Sequence, residues 1–378
     1  MAEIDENAAK DECPMDLLSL EDSEMEGMNL LNRSLSPTLR RTIYLESAKT
    51  VGTLRNETKL LQCALESVKL DMENDEKKEI YPTEENMILG RKLGQGGFSS
   101  VYEVKDDPTV ACKFLSNSSL RVSDDDTAED KLQFLKIASR DIVREFYFLD
   151  SLNHPNIISL RGVGSLDDMA SYYLLLEKIS MPLSEKMKDW ELARVDNDLL
   201  RERLEYVLQI ASAFSYLHER KIIYRDLKID NLGLTAEEKI LVYDFGLAKE
   251  IKDFPCENGK YKLSGGTGSW AYMAPEVAKN YRYNFSADVY SYGIVLWEIC
   301  SGRYAFSNLT KEEVLGTNER PPLVRNWPDD LETLMKECWH WNLTQRPSFP
   351  GIEKRVKAIM EKECPQSKSF FAGIFTSN

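Results

Sequence analysis

Acidic, amide and basic side chains recur at short, fixed intervals between residues 222 and 246 of this 378-residue chain. Lys228 lies two residues after Asp226, Asn231 lies five residues after it, and Asp244 lies eighteen residues after it. A carboxylate can accept a proton from a hydroxyl group and a lysine can steady a phosphate, while Mg²⁺ prefers carboxylate, amide and phosphate oxygens as ligands. The spacing therefore indicates magnesium-assisted phosphoryl transfer, with Asp226 as the base and Lys228 on the γ-phosphate. Asn231 and Asp244 are the predicted metal ligands.

Lys113 lies in an apolar run, Val110-Ala-Cys-Lys113, that has the pattern of a β-strand. A buried ammonium group is costly without a partner, so the sequence predicts a carboxylate beside it. The candidate is Glu145, on the helix predicted to follow, nine residues before His154. An ion pair between the two would hold the ammonium group against the α- and β-phosphates of a nucleotide. A strand lysine often faces water, and the combination with the acidic residues is what favours the phosphate interpretation.

Glycines cluster between two predicted strands, in Gly94-Gln-Gly-Gly-Phe-Ser-Ser-Val101. Such a cluster can form a simple hairpin turn, because glycine tolerates positive φ. The absence of side chains at Gly94 and Gly96 would also let backbone N–H groups approach the phosphates of ATP. The residues predicted to contact the nucleotide here are Leu93, Gly94, Gln95, Gly96, Gly97, Phe98, Ser99 and Val101.

Hydrophobic periodicity predicts the elements that carry these residues. Short apolar, β-branched runs predict three antiparallel strands near residues 87–90, 101–104 and 109–115, and two more at 157–163 and 171–176. A helix carrying Glu145 lies between the two groups of strands. Beyond Pro182 the pattern is mainly helical, at residues 199–220, 287–301, 331–341 and 352–363. The predicted fold class is therefore α+β, with a small β-rich lobe followed by a larger helical lobe.

The ordered set of motifs from about residue 84 to 363 resembles the protein kinase superfamily. Further matches are Met273-Ala-Pro-Glu276, Asp288-Val-Tyr-Ser-Tyr-Gly293, and Arg346, which the resemblance pairs with Glu276 in a structural ion pair. The resemblance implies the bilobal kinase fold, with a small lobe at 84–178 and a large lobe at 179–363. It also implies ATP and Mg²⁺ as cofactors, bound in the cleft between the lobes.

The resemblance assigns further residues to the adenine pocket. Leu176 looks like the residue that gates the back of the pocket, and 177–179 look like the hinge whose backbone would bond adenine, through Glu177 and Ile179. Val101 and Ala111 would pack on the adenine ring. Without the resemblance, both would be read simply as core residues of strands.

The subclass implied by the resemblance rests on a few positions. Lys228 in the catalytic loop resembles Ser/Thr kinases, and Ser269 lies where these kinases carry a hydroxyl residue that contacts the loop. Trp339 and the Arg346-Pro-Ser-Phe ending instead look like tyrosine kinases and the tyrosine-kinase-like Ser/Thr group. Together they indicate a tyrosine-kinase-like Ser/Thr kinase that acts on protein substrates. A tyrosine or dual-specificity kinase remains an alternative.

Two departures from the family pattern motivate a different class of function. Tyr224 replaces the histidine that usually begins the catalytic-loop motif, and Ser99 replaces the third glycine of the loop. Such changes are compatible with a pseudokinase scaffold that binds nucleotide without transferring phosphate. The pseudokinase interpretation is opposed by the catalytic and metal-binding side chains, all of which the chain retains. They are Lys113, Glu145, Asp226, Asn231 and Asp244.

Regulation is predicted from Arg225, which precedes Asp226. In this family such an arginine often pairs with a phosphorylated residue of the activation segment, here residues 244–276. We hypothesise that Ser264 or Thr267 is the activating site, modified by an upstream kinase.

Composition limits the partners and the compartment. The net charge of −15 disfavours nucleic acid as a main partner, and no apolar run approaches the length of a membrane span. Seven scattered cysteines without metal-ligand spacing indicate a reduced, cytoplasmic protein, with the nucleus not excluded.

Three segments are predicted to lie outside the two lobes or between their elements. Residues 1–83 are predicted to form an acidic, largely disordered extension with a short amphipathic helix at 57–71. Residues 116–130 are predicted to form a polar loop, and residues 364–378 a tail.

Overall fold

The computed structural model describes residues 87–96, 99–115, 141–164, 173–191, 197–252, 254–316, 319–325 and 327–364. The predicted acidic extension, its helix at 57–71, the polar loop at 116–130 and the tail after residue 364 lie outside these residues. So do Gly97 and Phe98 of the glycine cluster. Among the described helices, none combines the length and the apolar character needed to cross a membrane.

The small lobe is a five-stranded antiparallel sheet with the strand order β1-β2-β3-β5-β4. Its central strands pair Lys113 with Val101 on one side and with Leu174 on the other. The α1 helix, whose described part covers residues 141–151, places Ile142 and Phe146 in the same buried cluster as Leu174. The strands are β1 Leu89–Gln95, β2 Ser99–Val104, β3 Asp107–Leu115, β4 Leu160–Gly164 and β5 Tyr173–Glu177.

The predicted strand at 157–163 is displaced in the structure. Ile157 makes an isolated parallel bridge to Val242 of the large lobe, and the strand of the small sheet begins only at Leu160. The backbone N–H of Ile158 donates to the carbonyl of Val242 at 3.0 Å. An apolar run shows that a segment is buried but does not show which lobe covers it, so the prediction merged two short segments. The strand predicted at 171–176 is observed at Tyr173–Glu177.

The large lobe contains the four predicted helices with small changes at their ends. The helix predicted to run to residue 341 ends at Cys338, and the last helix begins three residues early, at Phe349, with a proline in its first turn. The helices are α2 Leu183–Glu191, α3 Asn197–Glu219, α4 Pro275–Ala278, α5 Ser286–Ser301, α6 Lys311–Gly316, α7 Asp329–Cys338 and α8 Phe349–Glu363. With the small sheet they make the bilobal α+β architecture.

Short strands order the loops between the helices. A three-stranded sheet runs in the order β6-β8-β9, and two further pairs join β7 to β10 and β11 to β12. The antiparallel β8 and β9 form a hairpin, and Asp244 lies two residues after the end of β9. The strands are β6 Met181–Pro182, β7 Ile222–Ile223, β8 Leu232–Leu234, β9 Ile240–Val242, β10 Lys249–Glu250, β11 Cys256–Glu257 and β12 Lys260–Tyr261.

The α5 helix is the buried axis of the large lobe. Every residue from Ala287 to Cys300 is buried, as expected for a helix that is apolar around most of its circumference. Asp288 and Glu298 are the acidic residues in this interval, each 1% exposed. Buried carboxylates need hydrogen-bond donors. For Asp288 these donors are backbone N–H groups of the loop that carries Asp226, the predicted base.

A buried ion pair joins α4 to the loop before α8. The Arg346 guanidinium contacts both carboxylate oxygens of Glu276, at 2.6 and 2.9 Å. It also donates to the carbonyls of Ser286 at 2.9 Å and His340 at 2.8 Å. The Arg346 side chain is 0% exposed. The pairing that the resemblance implied is therefore present, and it fixes the end of the segment 244–276 to the helical core.

Replacing Arg346 with methionine should destabilise the protein by about 3–5 kcal/mol, because Glu276 is left as an uncompensated buried charge. Urea unfolding followed by circular dichroism measures the difference. Adding Glu276→Gln should recover part of the loss. The matched control is Lys336→Met, in an exposed pair on α7 with a nitrogen–oxygen distance of 3.3 Å, which should change little. An equal loss in both single variants would contradict the structural role of the Arg346 pair.

Candidate active site

The loop between β7 and β8 is held by the carboxylate of Asp288. The backbone N–H groups of Tyr224 and Arg225 each donate to it at 2.9 Å, and the His218 ring contacts it at 2.9 Å. Arg225 has a positive φ of 71°, a conformation that costs energy for a residue with a side chain and persists where the surroundings fix it. The two hydrogen bonds to Asp288 supply that constraint, and they fix the position of Asp226.

Asp226 lies at the centre of a cluster that binds both of its carboxylate oxygens. Asn231 donates through Nδ2 to Asp226 Oδ2 at 3.0 Å and to its carbonyl at 2.9 Å. The Lys228 ammonium is 3.0 Å from Oδ2, and the backbone N–H and hydroxyl of Ser269 each donate to Oδ1 at 3.0 Å. The predicted base is therefore oriented by three residues, while its side chain remains 9% exposed.

Gly268 makes the contact between Ser269 and the catalytic loop possible. Its φ is +95°, and a Cβ at this position would lie 2.4 Å from the carbonyl oxygen of Arg225. A side chain here would push the segment away from the loop. Lys228 closes the same contact from the other side by donating to the Ser269 hydroxyl at 3.0 Å. The contact that the sequence predicted for Ser269 is thus built around a glycine that sequence reasoning overlooked.

Lys113 and Glu145 form the predicted ion pair between β3 and α1, at 2.5 Å. Asp244 is 3.9 Å from the same ammonium group. Burial alone would lower the pKa of Lys113, but the negative charges of Glu145 and Asp244 raise it above its ordinary value. Burial raises the pKa of the Glu145 carboxyl, and the ammonium group opposes that shift. Oxygen Oε1 of Glu145 is buried without a hydrogen-bond partner among the described residues.

Asp244 follows β9 and has a positive φ of 66° with a side chain 46% exposed. The next residue, Phe245, is fully buried and lies 6.4 Å from the Phe148 ring of α1 and 5.2 Å from the Tyr224 ring. Arg144 of α1 donates to the carbonyl of Gly246 at 2.9 Å. These contacts hold the Asp244 backbone between the lobes, while its carboxylate stays partly exposed to solvent.

Tyr224, the departure from the family pattern, fills its position completely. It is 0% exposed, and its ring makes edge contacts with Phe214 at 5.4 Å and with Phe245. Its hydroxyl donates to the carbonyl of Tyr243, the residue before Asp244. Burial raises the pKa of Tyr224 well above its usual range, so the hydroxyl stays protonated as a donor. The tyrosine therefore links the catalytic loop to the segment that carries Asp244.

The side chains predicted to line the adenine pocket are buried or half-buried. Ala111 and Leu176 are each 5% exposed, while Leu93 and Val101 are half-buried. The hinge differs in one respect: the N–H of Glu177 donates to the Ser159 carbonyl at 2.9 Å. Its carboxylate accepts from the Ser159 hydroxyl at 2.6 Å. The N–H and the carboxylate of Glu177 are consequently not available to bond the adenine ring.

Ile179 and the described residues of the glycine cluster are the other predicted contacts of the nucleotide. The Ile179 side chain packs on Gly233, where an added Cβ would lie 2.9 Å from Ile179 Cγ2. At Gly94 an added Cβ would meet no atom within 4 Å, and the Gly96 N–H bonds to the Ser99 carbonyl at 2.8 Å, closing a turn. Gln95 pairs with Ser100 across the hairpin. The end of the strand therefore has open space at Gly94, one of the residues predicted to contact the phosphates.

The donor set fits a magnesium nucleotide. Asn231 directs its amide nitrogen at Asp226, so its amide oxygen is turned to the other side, as a metal ligand requires. Asp244 adds an exposed carboxylate, and Lys113 adds a cation for phosphate. Within the described ranges no three His, Cys, Asp or Glu side chains converge as a metal cluster. Mg²⁺ bound to a nucleotide takes one or two protein oxygens and completes its shell with phosphate and water.

Asp288 is the site residue whose role sequence reasoning missed, although its motif was noted. The signal was present: an acidic residue in an otherwise apolar, buried helix must find hydrogen-bond donors. The sequence does not show which donors these are. The structure places them in the loop residues Tyr224 and Arg225.

Residues 87–356 match the family described as protein tyrosine and serine/threonine kinase. The serine/threonine-protein kinase VIK of Arabidopsis thaliana is 30% identical over 317 residues, covering 79% of this chain and 65% of that protein. The serine/threonine/tyrosine-protein kinase HT1 of the same plant is 30% identical over 290 residues, covering 74% and 67%. The probable serine/threonine-protein kinase gdt4 of Dictyostelium discoideum is 27% identical over 360 residues, covering 91% of this chain but 20% of that protein.

Glu145→Gln should lower the pKa of Lys113, because the nearest negative charge is removed while the burial that disfavours the ammonium form remains. A ¹³C NMR titration of the lysine Cε resonances measures the shift. The control is Glu103→Gln, which removes a carboxylate paired with Lys178 at 3.1 Å and should leave Lys113 unchanged. A Lys113 titration identical in wild type and Glu145→Gln would contradict the inferred coupling.

Proposed function

The chain belongs to the protein tyrosine and serine/threonine kinase family, and from that premise we propose that it transfers the γ-phosphate of ATP to serine or threonine hydroxyls of protein substrates. The observation that carries the proposal is the Asp226 carboxylate, held by Asn231, Lys228 and Ser269. The chain spans about a fifth of the length of gdt4 and about two thirds of the lengths of VIK and HT1. The activity and the substrates are therefore proposals for this chain.

In the proposed mechanism Asp226 accepts the proton of the substrate hydroxyl through a carboxylate oxygen. Asn231 and Ser269 orient that carboxylate, and Lys228 would steady the γ-phosphate. Lys113, held by Glu145, would contact the α- and β-phosphates. Bound Mg·ATP would supply the transferable phosphoryl group, with ADP as the leaving group, and the cation that neutralises the charge; Asn231 and Asp244 would be its protein ligands.

The nucleotide would lie between the lobes. The glycine cluster from Gly94 to Ser99 would cover the phosphates, and Leu93, Val101 and Ala111 would pack on adenine, with Leu176 behind it. From the hinge, Glu177 and Ile179 would bond adenine through their backbone. The N–H of Glu177 is bonded inside the fold, so its carbonyl would be the group that contacts adenine.

The preference for serine and threonine is supported by the contact of Lys228 with Ser269, and VIK and gdt4 are named as serine/threonine-protein kinases. The name of HT1 also includes tyrosine, so dual specificity is the second candidate. The tyrosine-kinase-like Ser/Thr group is the subclass we propose. Against the pseudokinase alternative, which Tyr224 and Ser99 motivate, Tyr224 fills its position and its hydroxyl donates to the carbonyl of Tyr243.

We further propose a kinase domain at residues 84–363, with an acidic extension before it and a tail from 364 to 378. A cytoplasmic location, with the nucleus as the alternative, is supported by the cysteines: all five in the described part of the chain are free thiols.

Regulation through Arg225 is supported by its contacts. Arg225 Nη1 donates to the Ser264 hydroxyl at 3.0 Å, and the Thr267 hydroxyl lies 3.1 Å from the same oxygen. A phosphate on Ser264 would form a charge-assisted bond with Arg225 and tie the activation segment to the catalytic loop. Ser264 is thus the stronger of the two candidate sites, and an upstream kinase is the proposed partner.

Purified full chain with Mg·ATP and generic protein acceptors should produce phosphoserine or phosphothreonine, detected by site-mapping mass spectrometry. Asp226→Asn should reduce the rate roughly 10²–10⁴-fold, the usual contribution of a general base. The matched control, Asp189→Asn, changes an exposed aspartate of α2 and should transfer phosphate at the wild-type rate. Folded Asp226→Asn with undiminished transfer would refute the assigned base, and phosphotyrosine alone would refute the substrate class.

Ser264→Ala should lower activity by about tenfold if one charge-assisted hydrogen bond orders the segment. Phosphatase treatment should lower wild-type activity by a similar factor and leave Ser264→Ala unaffected. Thr267→Ala tests the second candidate, and Tyr261→Phe, in the same segment, is the control. Phosphosite mapping of active enzyme that finds neither Ser264 nor Thr267 modified would contradict the assignment.

A further inference from the structure

A cavity of about 570 Å³ lies on the large lobe away from the catalytic cluster. Its walls come from the activation segment, from the loop between α4 and α5, from α5 and α6, and from the loops before and after α7. Pockets that bind ligands or partner side chains usually measure roughly 300–1,000 Å³. We call it the basic cavity and define it by six of its lining residues: Lys260, Lys279, Tyr281, Arg282, Arg320 and Trp341.

The lining of the basic cavity is cationic, in contrast to the net charge of −15 of the whole chain. Four of its side chains are lysine or arginine, and its one acidic residue, Glu276, is neutralised by Arg346. Arg282 pairs with Glu257 at 3.1 Å on the surface. In the part of the chain that the structure describes, no carboxylate pairs with Lys260 or Lys279. The cavity therefore carries positive charge that a bound anion would compensate.

The rim of the basic cavity is apolar and exposed. Among the large apolar side chains of the described residues, Trp341 at 66% and Tyr281 at 62% are the most exposed, and both line this cavity. Its inner wall includes the Tyr290 ring, with the Arg320 guanidinium 5.0 Å from the ring centre. Aromatic side chains next to arginine are typical of the anchor regions of interfaces. The occupant should therefore carry both acidic and apolar side chains.

Residues 16–31 of the chain itself have this composition, and we call them the acidic segment. They contain five acidic residues, seven leucines or methionines and no lysine or arginine. We propose that the acidic segment docks in the basic cavity, with its carboxylates on Lys260 and Lys279 and its leucines against Tyr281 and Trp341. The contact is a binding function separate from phosphoryl transfer, and it does not depend on the proposed catalytic activity.

The chain is long enough to make this contact within one molecule. Residues 32–86 provide 55 residues between the acidic segment and the first described residue, Met87. An extended chain covers at most about 3.3–3.6 Å per residue, so this connection can span roughly 180 Å. A tether of this kind also raises the local concentration of the segment, which makes a weak contact significant without a partner protein.

The test measures how a fluorescent peptide of residues 14–32 binds to full-length chains by anisotropy. One chain is wild type, and one has a neutralised segment with Asp16→Asn, Glu21→Gln, Asp22→Asn, Glu24→Gln and Glu26→Gln. The peptide should bind the neutralised chain roughly tenfold or more tightly than wild type, because the segment of the wild type competes for the cavity. Increasing salt should weaken the binding, since the charges are partly exposed.

Charge reversal in the cavity locates the contact. Adding Lys260→Glu and Lys279→Glu to the neutralised chain should weaken peptide binding roughly tenfold. A peptide with lysines at the five acidic positions should bind that variant more tightly than the native peptide does, which shows that the cavity is still folded. The matched control is Lys354→Glu, an exposed residue of α8 outside the cavity, which should leave peptide binding unchanged.

Two results would overturn the proposal. Binding that is equally strong with and without the reversed lysines would exclude the cavity as the site. Equal binding to the wild-type and neutralised chains would show that the chain's own segment does not occupy the cavity, and would assign the surface to an external partner.

Discussion

The carboxylate of Asp288 is the interaction on which the catalytic cluster depends. It lies at the start of a helix whose middle is wholly buried, and it accepts hydrogen bonds from two consecutive backbone N–H groups of the catalytic loop. A carboxylate in this position has no water to solvate it, so its free energy of burial depends on these donors. The same bonds hold Arg225 in a left-handed conformation. Because the helix cannot move without disrupting the core, the position of Asp226 is set by the packing of the whole large lobe.

The second constraint is the accumulation of charge between the lobes. Lys113 is shared by Glu145 of the small lobe and Asp244 of the segment that follows the large-lobe sheet. Like charges on Glu145 and Asp244 repel each other, and the ammonium group between them offsets that repulsion. A third residue, Tyr224, bonds the carbonyl just before Asp244. The geometry of the cleft therefore depends on ion pairs and hydrogen bonds from three separate segments rather than on apolar packing alone.

Hydrophobic periodicity predicted the two-lobed architecture, and a lysine in an apolar strand predicted the Lys113–Glu145 pair. The Arg346–Glu276 pair was implied by the family resemblance. Sequence reasoning misplaced the strand near Ile157, because apolarity shows that a segment is buried but not which lobe covers it. It also could not show that the carbonyl of Ser159 accepts a hydrogen bond from the N–H of Glu177. These residues are eighteen positions apart in the sequence, and only the folding of the sheet brings them together. The role of Gly268 was likewise hidden, because a close backbone approach leaves no mark in the sequence beyond the glycine itself.

The basic cavity and the catalytic cluster share the activation segment. Lys260 and Met273 of that segment line the cavity, while Ser264 and Ser269 of the same segment contact Arg225 and Asp226. Tyr283 bridges the two regions, because its backbone pairs with Tyr261 and its hydroxyl donates to the Ser264 carbonyl. By thermodynamic reciprocity, two ligands that favour the same arrangement of a segment strengthen each other's binding. Docking at the cavity and phosphate at Ser264 would both act on the segment that these contacts share.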